Sequence, residues 1–399
     1  MKTRIGILTG GGDVQALNAV LAAAQKKAHS LGIELLGFIR GWEGVLKEEW
    51  VGLSSLSFSP RLGGTVLKSS RLNFQKIPRS PEIVLEKLAK NRITGLIVIG
   101  GEDTLSNAFL IKSFPLVLIS KTIDNDVGQI GPGDREFKKE EVFNYFTLGF
   151  PTAAGKIVSF VSLKEGLRTT AYSHERIIVV ESMGMHAGWL ALASGLGHPD
   201  FIIIPEFPLN YDLLLEKVIR AYESQRHVII VVAEGARWED GSNVYSEKDE
   251  SEEFAHPRFG GSAAALKKRL KNDLSPYFDT RNVNSVNPSY LYRSGAPCPL
   301  DLRWAQRIGE KAVSLLAGRA QESSFLAIQK IPSGFRLQIA SLSRFGSIDE
   351  LHRFVDNRFY DPREFRITAK GMAYLKPIVK EISPDDSYGI RKPEPARKD

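Results

Sequence analysis

Short, strongly apolar runs alternate with amphipathic stretches through most of this chain. Arg4-Ile-Gly-Ile-Leu-Thr9, Glu34-Leu-Leu-Gly-Phe38, Gly95-Leu-Ile-Val-Ile99 and Pro115-Leu-Val-Leu-Ile-Ser120 have the length and apolar content of buried parallel strands, whose two covered faces remove the alternation seen in half-exposed ones. Helical spacing occupies 15–30 and 81–90 between them. A second series opens with a helix near Pro151, where proline suits the first helical turn, and runs through Arg176-Ile-Ile-Val-Val-Glu181, Phe201-Ile-Ile-Ile204 and His227-Val-Ile-Ile-Val-Val-Ala233. Strands that alternate with helices predict an α/β protein of two doubly wound, Rossmann-like domains. The polar, acidic stretch 237–261 reads as a solvated loop, 368–381 as one more helix, and 391–399 as a frayed end.

Composition supports that reading and narrows the function. At 399 residues and 43% hydrophobic content the chain can bury two cores. No apolar run approaches the roughly 18 residues that span a bilayer, and no signal-peptide pattern precedes the first strand, so a cytoplasmic protein without membrane contact is expected. The single cysteine, Cys298, reads as a packing residue and excludes an internal disulfide. A net charge of +7, from 53 basic and 46 acidic residues spread along the chain, suits anionic small molecules better than nucleic acid.

The chemistry lies after two of the strands. Gly100-Gly101-Glu102-Asp103-Thr104 and Lys121-Thr122-Ile123-Asp124-Asn125-Asp126 each follow an apolar run, and ligands of open parallel sheets bind beyond the carboxyl ends of the strands. Four carboxylates, a lysine and two hydroxyls therefore converge on one crevice. Acids so close need a cation to offset their repulsion, and carboxylates with hydroxyls but no histidine suggest a magnesium and phosphate site. Gly10-Gly11-Gly12, between the first strand and a helix, lets backbone amides approach an oxyanion, although such glycines also serve simple tight turns. A P-loop is absent, because Gly149 to Gly155-Lys156 has one residue too many and Ile157 where a hydroxyl is needed. No histidine pair has zinc-ligand spacing.

Taken together these motifs resemble the phosphofructokinase family, its pyrophosphate-dependent branch in particular. Gly10-Gly-Gly-Asp13, Gly63-Gly-Thr65, Ser69-Ser-Arg71, Gly100-Gly-Glu-Asp103, 121–126, Met183-Gly184, Glu234-Gly235 and Tyr290-Leu-Tyr-Arg293 occur in family order, from the first strand to about Gly309. The resemblance implies the phosphofructokinase fold, with a donor domain over 1–145 completed by 260–305, a sugar-phosphate domain over 146–259 completed by 306–330, and a C-terminal extension over 331–399. It implies Mg2+ and reversible transfer of a phosphoryl group from pyrophosphate to the 1-hydroxyl of fructose 6-phosphate. Asp124 matches the catalytic base, with Thr122 and Asp126 as companions, and Glu102 stands where relatives usually hold magnesium with aspartate. Gly11, Gly12, Arg71 and Thr104 match donor-binding positions. Asp103 and Lys121 match the pyrophosphate enzymes, where ATP users have glycine: a carboxylate at 103 crowds and repels a nucleotide α-phosphate, and Lys121 offers charge to a compact donor. A structural ion pair between these two is the alternative. Asn107 stands where ATP enzymes commonly keep a glycine.

For the acceptor, the resemblance assigns Arg176, Arg281 and Arg293 to the sugar 6-phosphate, Glu234 to its hydroxyls, Met183 and Gly184 to packing on the sugar, and Tyr290 to a position that is tyrosine in many pyrophosphate enzymes. Arg176 and Arg281 match arginines that reach into a neighbouring subunit, so a homodimer or homotetramer with shared sites is implied. Two departures stand out. Met185 replaces an arginine of the family, with Lys68 as the candidate substitute cation, and Val14-Gln15-Ala16 replaces a proline–glycine pair. They leave open an ATP-dependent kinase, a related acceptor such as sedoheptulose 7-phosphate, and a non-catalytic phosphate-binding subunit.

Overall fold

The computed structural model describes residues 3–129, 138–245, 261–318 and 322–382. In chain order its elements are β1 (Arg4–Thr9), α1 (Leu17–Ser30), β2 (Glu34–Phe38), α2 (Trp42–Lys47), β3 (Trp50–Gly52), α3 (Ser80–Lys90), β4 (Gly95–Gly100), α4 (Glu102–Phe109), β5 (Leu116–Thr122), β6 (Leu148–Gly149) and α5 (Phe150–Val161). Then follow α6 (Arg168–Ser173), β7 (Ile177–Ser182), α7 (Trp189–Ala193), β8 (Phe201–Ile203), α8 (Tyr211–Gln225), β9 (Val228–Ala233), α9 (Ser262–Asp273) and β10 (Val283–Val286). The chain closes with α10 (Pro299–Ala317), β11 (Ser324–Ile331), β12 (Gly334–Ser341), β13 (Tyr360–Asp361), β14 (Arg366–Ile367) and α11 (Ala369–Leu375). They form two compact units, 1–153 with 290–353, and 154–289 with 354–399.

The first unit is built on a sheet ordered β12-β11-β5-β4-β1-β2-β3, with β6 beside β5. The pairs from β11 to β2 are parallel, and only the outer strands β12 and β3 run antiparallel. Every residue of β4 and β5 is buried, which is why these strands read as unbroken apolar runs. β1 continues to β2 on one side while β4 and β5 lie on the other, so the strand order reverses beside β1 and opens a crevice at its carboxyl end. The second unit has a parallel sheet ordered β10-β7-β9-β8, with β7 and β9 wholly buried. Its carboxyl ends present the residues that follow Ser182 and Ala233.

The α/β class and the two-unit organisation follow the alternating pattern, but the completing segments differ from expectation. Residues 260–289 do not complete the donor domain; β10 extends the sheet of the second unit beside β7. Residues 306–330 lie in the first unit, where α10 packs on α1 and β11 joins β5. The segment 331–399 is not one extension either, since β12 edges the first sheet while β13, β14 and α11 belong to the second unit. The helix expected over 368–381 stops at Leu375, ahead of Pro377, and α1 starts at Leu17 because 14–16 form a buried turn. Most of the acidic loop and the terminus 391–399 lie outside the described residues.

Close packing of α1 against α10 positions the crevice, because α1 leaves the glycine loop and α10 follows the turn at 290–294. Ala23 and Gly309 meet at the crossing, where a Cβ on Gly309 would lie 2.4 Å from the Val20 carbonyl oxygen. Alanine in a helix is favoured over glycine by about 1 kcal/mol, but overpacking costs about 1–3 kcal/mol and a backbone oxygen cannot rotate aside. Gly309→Ala is therefore expected to lower the midpoint of thermal or denaturant unfolding; a higher midpoint would show that the helices separate freely.

Candidate active site

Three loops meet at the carboxyl ends of β1, β4 and β5. Gly10 donates its N–H to Ile99 O at 3.0 Å, binding the first loop to β4. Gly11 has φ +75°, a conformation that suits glycine, and donates to Ser70 O at 3.0 Å while its carbonyl accepts from Ser69 Oγ at 2.5 Å. A Cβ on Gly12 would approach Arg293 Nη1 to 2.9 Å, so the Arg293 side chain would have to move aside. Thr104, in the first turn of α4, is buried against Gly10 and Gly100. Glu102 and Asp103 open that same helix, where carboxylates suit the positive end of the helix dipole.

β5 runs two residues further than its apolar run, through Lys121 and Thr122, because both pair with β6 at Leu148 and Gly149. Lys121 is almost fully buried and its Nζ donates to Gly12 O. Burial above all, and then the cations Arg293 and Arg71, bring the Lys121 ammonium down to about 7, against the opposing pull of Asp13 and Asp124. Among the described residues Lys121 and Asp103 form no ion pair; Asp103 stands exposed at the mouth. Arg293 is held near the loop by a contact of Nη1 with Asp13 O at 3.4 Å. Gln15 secures its turn, donating through Nε2 to Tyr292 O at 2.6 Å and Ser294 O at 3.1 Å. The departure after the glycine run thus acquires a bracing role.

The turn beyond β5 concentrates negative charge. Asp124 donates its backbone N–H to Thr122 Oγ1 at 3.0 Å, and Asn125 takes the left-handed conformation at φ 54°, placing one carboxylate on either side of it. Asp124 Oδ1 and Asp126 Oδ1 are buried and accept no hydrogen bond among the described residues. Burial, followed by the charge of Asp124 and then of Glu102, pushes the Asp126 carboxyl well above the usual carboxylate range, with Arg353 pulling the other way. Two unsatisfied anionic oxygens beside a third carboxylate form a donor set that fits a hard divalent cation. Glu102 is also 3.4 Å from His352 Nε2, and Asp349 completes a group whose ligand atoms lie within 4.8 Å of one another.

The second unit presents a smaller arrangement. Glu234, after β9, accepts from Gly184 N at 3.0 Å through Oε1, tying its carboxylate to the turn after β7. Met183 and Met185 are half-buried on that turn. Arg176 donates to Thr170 Oγ1 at 2.8 Å, and Arg281 lies in solvent, paired with Asp279 at 2.6 Å. Tyr290 and Arg293 belong to the first unit, where Tyr290 is exposed. Asn107 is buried, and its Oδ1 accepts from Phe74 N at 3.1 Å while its Nδ2 donates to Leu72 O at 2.7 Å, so its carboxamide braces the loop after Arg71.

Sequence reasoning missed Gln15 as a brace, His352 and, above all, Arg353. Arg353 is buried, and its guanidinium donates to Asn125, Asn144 and Tyr145. Nothing in the local text Leu351-His-Arg-Phe354 signals this, because the partners lie more than 200 residues away.

Residues 4–316 match the family described as "Phosphofructokinase", and the chain belongs to that family. Among curated relatives it is 36% identical over 321 residues to a protein of Dictyoglomus thermophilum named pyrophosphate–fructose 6-phosphate 1-phosphotransferase, covering 79% of this chain and 86% of that one. It is 34% identical to an ATP-dependent 6-phosphofructokinase of Chloroflexus aurantiacus, covering 79% and 85%. Among solved structures, a pyrophosphate-dependent phosphofructokinase from Nitrosospira multiformis superposes with TM-score 0.76 at 20% identity, over 99% of this chain and 95% of that one, which shows the shared fold.

The buried lysine gives a test of the site in the free protein. Because the folded-state value near 7 lies below the ordinary value of 10.5, the unfolded chain holds more protons between these limits, and stability from Lys121 rises with pH across that window. The slope approaches about 1.4 kcal/mol per pH unit for one fully linked proton. Lys121→Met is expected to be more stable than wild type at pH 6.5, with the difference shrinking by pH 9.5 in denaturant titrations. A difference independent of pH would place the ammonium in water.

Proposed function

We propose that this protein transfers a phosphoryl group reversibly between pyrophosphate and the 1-hydroxyl of fructose 6-phosphate, giving fructose 1,6-bisphosphate, with Mg2+. The observation that carries the reading is the contrast between a buried Lys121 under the glycine loop and an exposed Asp103 at the mouth. A compact anion that reaches Gly11 and Gly12 gains the lysine and the flanking Arg71 and Arg293, whereas a nucleotide must carry its α-phosphate past a carboxylate. The relative named as an ATP user, at 34% identity, favours the ATP reading as the alternative.

The chain's own groups suit the reaction. Asp124 has a buried carboxylate oxygen without a donor, able to accept the proton of a sugar hydroxyl as the new phosphorus–oxygen bond forms. Thr122 orients that residue through its backbone N–H. Glu102 and Asp126 would hold Mg2+, which when bound neutralises charge on the phosphoryl oxygens. Lys121, Arg71 and Arg293 hold the pyrophosphate and stabilise the orthophosphate that leaves as its bridging phosphorus–oxygen bond breaks. For the acceptor, Glu234, Met183 and Gly184 receive the sugar, and Arg176, Arg281, Arg293 and Tyr290 its phosphate end. The cations beside the glycine loop supply positive charge without the arginine that Met185 replaces.

The deciding assay gives purified protein fructose 6-phosphate and Mg2+ with pyrophosphate and ATP side by side. Wild type is expected to turn over with pyrophosphate, in both directions, and hardly with ATP. Asp103→Gly should gain ATP use, and Asp124→Ser should lose roughly a hundredfold or more in kcat with sugar KM little changed. ATP turnover without pyrophosphate turnover would refute the donor; near-normal kcat in Asp124→Ser would remove the base.

We infer further that the protein works as a homodimer or homotetramer in which Arg176 or Arg281 completes a neighbour's sugar-phosphate site. The exposed guanidinium of Arg281, which among the described residues pairs with Asp279 two residues away, supports this. Activity is expected to vanish on dilution to monomers, followed by light scattering; a fully active monomer would exclude shared sites.

A further inference from the structure

Arg353 lies at the end of the first unit, beyond the span that the family match covers. The chain there runs antiparallel to the segment after Asp126, with Val127 bridging His352, Gly128 N donating to Leu351 O at 2.6 Å and Arg353 N to Asp126 O at 2.8 Å. The Arg353 side chain then turns inward. Its Nε donates to Asn125 O at 2.8 Å, Nη2 to Asn125 Oδ1 at 2.5 Å, and Nη1 to Asn144 O and to Tyr145 O at 3.2 Å. Asn125 Oδ1 also accepts from Thr147 N at 3.1 Å.

Asn125 is the residue between Asp124 and Asp126, and it sits at φ 54°, in the left-handed region that asparagine tolerates better than other non-glycine residues. Two arms of one rigid fork grip the backbone oxygen and the side-chain oxygen of this residue, which fixes both its ψ and its χ angles and so the directions of the carboxylates on each side. A lysine could reach one of these oxygens but not form the fork. Gly128 completes the fit, since a Cβ there would come within 3.0 Å of Arg353 Nη1.

We propose that Arg353 is a positioning residue for phosphoryl transfer, acting through Asn125 to aim Asp124 at the acceptor hydroxyl. The inference rests on the reaction proposed above and assigns a catalytic duty to a stretch that the sequence marks only as trailing chain. A misplacement of about 1 Å in a reacting group can cost about a hundredfold in rate, so a clamp remote from the substrate can matter as much as a contact.

The test compares wild type, Arg353→Met, Arg353→Lys, Asp124→Ser and the Arg353→Met/Asp124→Ser double variant in the pyrophosphate assay. Arg353→Met is expected to lower kcat about a hundredfold, with KM for both substrates within about threefold, and Arg353→Lys to recover little of it. In the Asp124→Ser background the same change should cost less than about threefold, because the group it aims is gone. An equal cost in both backgrounds, or unchanged kcat, would overturn the proposal. Hydrogen exchange covers poor folding or absent activity: in Arg353→Lys the amides of 123–129 should exchange at least about tenfold faster while β1 and β4 stay protected. Unchanged exchange there would also overturn it. An inactive wild type would refute the proposed reaction, and the exchange result would still decide whether Arg353 clamps the turn.

Discussion

Charge of both signs is buried at the end of β5 with too little partner of the opposite sign, and the rest of the first unit is arranged around that imbalance. Lys121 enters the space beneath the glycine loop, and Asp124 and Asp126 occupy the turn that follows. Burial drives the lysine towards its neutral form and Asp126 towards its protonated one, so the free protein lowers both charges with the same physics. A ligand that brings an anion to the lysine and a cation to the carboxylates reverses both shifts together. Magnesium pyrophosphate has that composition, and its binding would draw a proton to one group while releasing one from the other.

Holding such groups in place is the task of the neutral residues. The parallel sheet supplies rigid strand ends, the α1 and α10 crossing at Gly309 keeps the glycine loop beside the turn of Arg293, and Gln15 hydrogen-bonds that turn. Hydrogen bonds to neutral carbonyl oxygens of backbone and side-chain amides carry no net charge, so they fix Lys121 and Arg353 without neutralising them. An ion pair in either place would fix the geometry as well but would leave less positive charge for an incoming phosphate.

What the sequence revealed follows the range of the interactions concerned. β4 and β5 were readable because strands covered on both faces require apolar residues at every position, and the chemistry was readable because it follows directly on those runs. Lys121 and Thr122 read as loop because their polarity hides a pairing with β6 that lies across an intervening segment. The assignment of 260–289 to the second unit depends on β10 meeting β7, a contact over some hundred residues that no local pattern encodes. Asn107 illustrates another limit. Its place in the motif was visible, but its direction was set by the backbone of Leu72 and Phe74, and polar residues can as readily brace a loop as face a ligand.

Asp103 and Lys121 differ in what they cost the fold, and that difference bears on how donor choice can change. Asp103 is exposed in the first turn of α4, where a carboxylate is favoured by about 0.3–1 kcal/mol, so its repulsion of a longer donor comes without loss of stability. Lys121 is buried, forms no ion pair with a carboxylate among the described residues, and weakens the free protein whenever it is protonated. A residue that opposes folding persists where a ligand needs it, whereas one that favours folding can persist for either reason. The lysine is therefore the stronger physical sign of a compact phosphate donor, and the aspartate is the easier of the two to acquire or to lose.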